Sequence, residues 1–167
     1  PLLGCALGIG WLYWPQWTSG FQNMPDLLRD PRLVGYTLEH GFRWIMQYPL
    51  HAEFWQTPLF YPQPGVTAYT DVLIGAGPLY WVWRWLGAAP DTALQYWMIA
   101  CSALNFGTAY LLLSRGLRVN ITAATLGAFL IAFGGPATIR IWHPQLIPQF
   151  WIYLAIYALF EIFSGDA

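Results

Sequence analysis

PDLLRDPRLVGYTLEHGFR, residues 25–43, is the densest charged passage in an otherwise apolar chain. Asp26, Arg29, Asp30, Arg32, Glu39, His40 and Arg43 all fall inside it, and long apolar segments follow. Asp30 followed by Pro31 reads as a helix start. A carboxylate there caps free backbone N–H groups, and proline at the first helical position loses no hydrogen bond. Val34, Leu38, Phe42 and Ile45 then recur at spacings of four, four and three, which stripes one helical face. Arg32, Tyr36, Glu39, His40, Arg43 and Gln47 gather on the other side, with Glu39 and Arg43 at the stabilising i,i+4 spacing. The pattern predicts an amphipathic helix over about 31–47 that lies on a boundary between lipid and water without crossing it.

Composition gives that boundary its context. The chain has 167 residues, 57% of them hydrophobic and only 9% charged, with a mean hydropathy of +0.42. Soluble domains carry about 25% charged residues, so the deficit points to lipid. Aromatics reach 19%, with 11 Trp, and Trp and Tyr gather at membrane interfaces. All seven basic residues are Arg, scattered singly, and the net charge is −1, which excludes a nucleic-acid surface. Cys5 and Cys101 lie in apolar runs and read as inert buried thiols. Pro1–Trp14 has no basic n-region and no small-residue cleavage site, so it is not a signal peptide. The apolar runs at both ends read as parts of a longer polytopic protein.

Outward from the charged stretch, residues 1–14 read as part of a first spanning helix, with Trp11, Tyr13, Trp14 and Trp17 as an aromatic collar. Residues 15–92 form a long outer loop carrying the boundary helix and a second helical segment over about 72–88. Between them, Pro, Gly and aromatics without a sustained period predict a rigid, irregular surface loop. Gly75, Gly77 and Pro78 break the second segment, and its Trp-Val-Trp-Arg-Trp run suits the headgroup layer. It is therefore read as interfacial or re-entrant. Spans follow at about 93–113, 121–139 and 146–163. Ala103 and Gly107, and Ala123 and Gly127, are small-xxx-small pairs that would let a neighbour approach. Asn105 reads as an interhelical hydrogen bond, and Gly134, Gly135 and Pro136 predict a break. The expected architecture is a single all-α, polytopic membrane domain.

Topology brings the polar residues together. By the positive-inside rule the loop with Arg115 and Arg118 is cytoplasmic, which puts Arg140, His143 and Gln145 on the outer side. If 72–88 does not cross, Asp30, Glu39 and Asp71 share that side. No Walker loop, GxGxxG, CxxC or HExxH is present; the chemistry resides in Asp26, Asp30, Glu39, Glu53 and Asp71. An outer-loop carboxylate beside apolar walls can act as a general base or hold a divalent cation. Each also has a structural reading: Asp30 and Asp71 as helix caps, Glu39 as the partner of Arg43, and His143 as a turn residue.

The order of these features resembles the amino-terminal portion of the GT-C class of polytopic, polyprenyl-phosphate-sugar-dependent glycosyltransferases. The likeness is carried by Asp30-Pro31-Arg32 and Leu38-Glu39-His40, then Phe60-Tyr61-Pro62 and Tyr69-Thr70-Asp71, then a helix pair around a basic loop and a polar turn. The resemblance implies transfer of a sugar from a polyprenyl-phosphate donor to an acceptor at the outer face of a membrane, the periplasmic face of a bacterial inner membrane. Asp30 is the implied catalytic group, and the metal ligand if a divalent cation (Mg or Mn) takes part. Arg32, Glu39, Arg43, Asp71, Arg140, His143 and Gln145 are the implied substrate-binding set, with an arginine on the donor phosphate. Many members carry an acidic pair in the second outer loop, where this chain has Arg140, His143 and Gln145 and no acid. The competing readings are a non-catalytic carrier or flippase of lipid-linked cargo, and a structural membrane protein.

Overall fold

The computed structural model describes residues 1–24 and 30–164. Asp26 and Arg29 lie outside the described residues. The chain is all-helical, with no strand among the described residues. The α-helices are α1 (Leu2–Leu12), α2 (Trp14–Thr18), α3 (Asp30–Ile45), α4 (Gly77–Trp85), α5 (Pro90–Leu111), α6 (Ile121–Phe133), α7 (Gly135–Arg140) and α8 (Phe150–Ser164).

The bundle is built on α5. Pro90 starts it without wasting an N–H, and Asp91 sits in the first turn where the helix dipole favours an acid. Its 22 residues continue into a single π-helical turn over Leu112–Gly116. α1, α4, α6 and α8 all pack against it. α6 presents Ala124, Ala128 and Ala132 to this contact, one residue per turn, each fully or almost fully buried. Asn120 caps α6 by accepting the Ala123 N–H at 3.0 Å. The predicted break falls at Gly134, where the chain turns extended before Pro136 restarts it as α7.

Three helical stretches, Pro90–Gly116, Ile121–Arg140 and Pro144–Phe163, are long and apolar enough to cross a membrane. They mark the chain as an integral membrane protein. α8 leaves Trp151, Ile152, Leu159, Ile162 and Phe163 exposed, a surface that only lipid or further protein covers at low cost. α4 is nine residues, about 14 Å of helix, and is too short to span.

Several expectations are corrected by packing. Tyr13 does not stand in the exposed collar with Trp11, Trp14 and Trp17. It is buried against α5, its hydroxyl donating to the Met98 carbonyl (3.0 Å) and bonding the Ser102 hydroxyl (2.8 Å). The first helix also stops at Leu12, and α2 restarts at Trp14. Gly107 faces open space, so the Ala103/Gly107 pair seats no helix, whereas an added Cβ at Gly127 of the second pair would lie 2.8 Å from Leu113, and one at Gly8 would lie 2.1 Å from the Phe133 ring. Ile45 is exposed at the end of the α3 stripe, while Val34, Leu38 and Phe42 are buried. Asn105 behaves as expected: its amide donates to the Ile147 carbonyl (2.6 Å) and accepts the Gln149 N–H (3.0 Å), fastening the turn before α8 to the middle of α5.

Candidate functional site

Asp30 is the first residue of α3, and the 3-10 turn Pro144–Leu146 packs against that helix. The turn is set by Pro144, which cannot extend α7, and by the Leu146 N–H closing on the His143 carbonyl at 2.9 Å. It delivers two side chains to one oxygen. His143 Nδ1 lies 2.6 Å and Gln145 Nε2 2.7 Å from Asp30 Oδ2, across 113 and 115 residues of sequence. A carboxylate can only accept, so the His143 proton is on Nδ1 and its Nε2 is an acceptor when the ring is neutral. All three side chains remain partly open to solvent.

A divalent cation, which the resemblance allows at Asp30, would need further oxygen ligands. Mg and Mn are held by oxygen ligands, commonly more than one carboxylate. Two N–H donors converge on Asp30 Oδ2 instead, and among the described residues no three His, Cys, Asp or Glu side chains cluster to hold a metal.

The polar face of α3 was expected to face water, but Glu39 and His40 are buried. α4 and the loop after α3 cover that face. Glu39 Oε1 accepts from Arg43 Nε (2.8 Å) and an Arg84 terminal nitrogen (3.1 Å); Oε2 accepts from Arg84 Nε (2.7 Å) and the Tyr80 hydroxyl (2.8 Å). Burial pushes the Glu39 pKa up, but the hydrogen bonds from Arg84, Arg43 and Tyr80 outweigh it and hold the carboxyl below its ordinary value. Arg84 also donates to the Ala88 carbonyl, which closes α4. Glu39 is thus a helix-joining group, its two oxygens occupied by protein donors.

Next to it, His40 bridges α3 to the loop. Its Nε2 is 2.8 Å from the Phe54 carbonyl and its Nδ1 2.8 Å from His51 Nδ1. Thr67 donates to the same carbonyl at 2.9 Å.

Of the remaining expected site residues, Arg32 and Arg43 line a cavity along α3 with Glu39. Arg140 does not join Asp30: it donates to Gln149 Oε1 at 2.8 Å and secures the 141–149 turn. Asp71 is exposed and makes no hydrogen bond or ion pair among the described residues. Tyr80, Arg84, His51 and Asp91 did not emerge from the sequence reading. Arg84 was assigned to lipid headgroups because of its Trp neighbours, and His51 sits in a loop without periodicity.

Two cavities have lining residues next in sequence to the Asp30 cluster, Trp142 beside His143 and Pro31 beside Asp30. An apolar groove of about 860 Å³ runs between α1, α2 and α7, walled by Leu7, Trp11, Trp14, Met24, Ile141 and Trp142. Trp142, in the wall of this groove, immediately precedes His143 of the Asp30 cluster. A second cavity, about 560 Å³, runs along α3, and its lining includes Arg32, Glu39, His40, Arg43, His51 and Asp91. No protein-family model, curated protein or solved structure matches this chain.

Proposed function

We propose that this protein transfers a sugar from a polyprenyl-phosphate-linked donor to an acceptor at the membrane surface. The observation that carries the reading is the meeting of Asp30, His143 and Gln145 next in sequence to Trp142, which walls the apolar groove. A prenyl chain suits that groove, whose walls are almost wholly apolar and which opens among helices able to cross a membrane. Asp30 accepts the proton of the acceptor hydroxyl as that oxygen bonds the anomeric carbon. The bond from that carbon to the donor phosphate breaks, and polyprenyl phosphate leaves with the electron pair. His143 and Gln145 hold the carboxylate in one orientation, which reduces the entropic cost of reaching the reactive geometry.

The carrier or flippase reading needs polar groups lining a path through the spans. Asn105 is buried and spent on Ile147 and Gln149, which counts against it.

The test is Asp30→Asn in the intact protein in its native membrane, with radiolabelled polyprenyl-phosphate mannose, glucose and arabinose as donors. The variant retains an oxygen to accept from His143 and Gln145 but is not a base. Transfer from at least one donor by the wild type, and its loss in a variant that is expressed and inserted normally, is the expected result. Undiminished transfer by the variant, or none by the wild type from any donor, defeats the assignment.

A further inference from the structure

The polar cavity along α3 carries four groups with unused hydrogen-bonding capacity. Phe54 offers a carbonyl, so His40 Nε2 must carry the proton of the 2.8 Å bond between them. Neutral His40 then has a bare Nδ1, which accepts the proton on His51 Nδ1. The relay ends at His51 Nε2, a lone pair that no donor among the described residues engages. His51 is 93% buried yet lines the cavity. Burial and the neighbouring His40 and Arg43 push its pKa below the ordinary histidine value against the opposing pull of Glu39, so the ring stays an acceptor at neutral pH.

Asp91, in the first turn of α5, is a second acceptor in the same wall. Its carboxylate makes no hydrogen bond or ion pair among the described residues, and neither does the Arg32 guanidinium. Arg43 uses its Nε on Glu39 and keeps its two terminal nitrogens. The cavity lining therefore holds both acceptors, His51 and Asp91, and donors, Arg32 and Arg43. Arg32 and Arg43 are eleven residues apart on α3, about 16 Å of helix rise, too far to chelate one small ion. A simple anion would meet the Asp91 carboxylate and the His51 lone pair; a simple cation would meet two guanidiniums. A chain of hydroxyls, each both donor and acceptor, satisfies all four groups, and the half-buried Tyr36 ring suits the apolar face of a sugar ring.

We propose that the cavity between α3 and the start of α5 binds an extended carbohydrate, with His51 Nε2 accepting one of its hydroxyl hydrogens. Pro31 and Arg32, which follow Asp30 on α3, are among its lining residues. Resting on the transfer reading above, its occupant is the sugar acceptor, its end hydroxyl toward Asp30.

Saturation-transfer-difference NMR on the intact protein in lipid nanodiscs tests this with mannotriose, maltotriose, cellotriose and chitotriose as probes. At least one trisaccharide gives a signal with wild type, reduced at least fivefold by His51→Phe. Because His51→Phe also removes the bond to His40 and could loosen the loop, Arg32→Gln and Asp91→Asn are measured alongside. Neither side chain makes a hydrogen bond or ion pair among the described residues, and both variants lower the signal. No signal from any of the four probes, signals unchanged in all three cavity variants, or displacement by inorganic phosphate, would each overturn the proposal. Binding without Asp30-dependent transfer would leave the carbohydrate site standing and remove the transferase; transfer without binding here would do the reverse.

Discussion

Arg84→Leu is the most demanding perturbation of the packing that shapes the site. Arg84 joins α4 to α3 through two hydrogen bonds to Glu39, and the side chains are only 18% and 11% exposed. Removing one partner of a fully buried pair costs about 3–5 kcal/mol, because a charge is left unpaired. Here Arg43 and Tyr80 still donate to Glu39, so the expected loss is smaller, about 2–3 kcal/mol, the range of hydrogen bonds to a charged group. Arg43→Ala supplies the contrast. Its side chain is 41% exposed and stands one turn from Glu39, so solvent screening reduces its share to about 0.5 kcal/mol. The pH dependence has a definite sign. The folded pKa of Glu39 is depressed below 4.5, so its stabilisation is present above that value and is lost as pH falls through the folded pKa. The wild-type advantage over Arg84→Leu therefore shrinks as the pH drops below about 4.5. Reversible denaturation of the detergent-solubilised protein, as a double-mutant cycle with Glu39→Gln from pH 3 to 7, reads these differences. Equal losses from Arg84→Leu and Arg43→Ala, or a difference that grows on acidification, would refute the reasoning.

Gly8→Ala is expected to destabilise by about 1–3 kcal/mol, since its Cβ would overlap the fully buried Phe133 ring, whereas Gly10→Ala, with nothing within 4 Å, changes the midpoint little. Parallel thermal melts of the two variants check this, and equal shifts would count against the α1–α6 contact. The loop after α5 and the turn before α8 lie at opposite ends of the α6–α7 stretch, which is long enough to cross a membrane. Leu117→Cys and Trp142→Cys, both at exposed positions, should accordingly react with a membrane-impermeant maleimide from opposite faces; labelling of both from one face would contradict the arrangement.

Much of the architecture was local and therefore legible. Apolar length marked the three spans, Gly134-Gly135-Pro136 marked the interruption between α6 and α7, and the 3.6-residue stripe with Asp30-Pro31 located α3. Helix formation and apolar length depend on residues a few positions apart, which a linear reading captures. The meeting of Asp30 with His143 and Gln145 could be anticipated only as a shared side of the membrane, through the charge of the Arg115–Arg118 loop. Their contact at one carboxylate oxygen was decided by how the Pro144 turn packs on α3. The same holds where the reading fell short. Arg84 reaches Glu39 from 45 residues away, and Tyr13 turns inward because Ser102 and the Met98 carbonyl wait on α5. His51 meets His40 through a loop with no period to announce it. A polar side chain in sequence declares only that it needs a partner. Which partner it finds, and so whether it is spent on the fold or left facing a cavity, is settled by the crossing of distant helices.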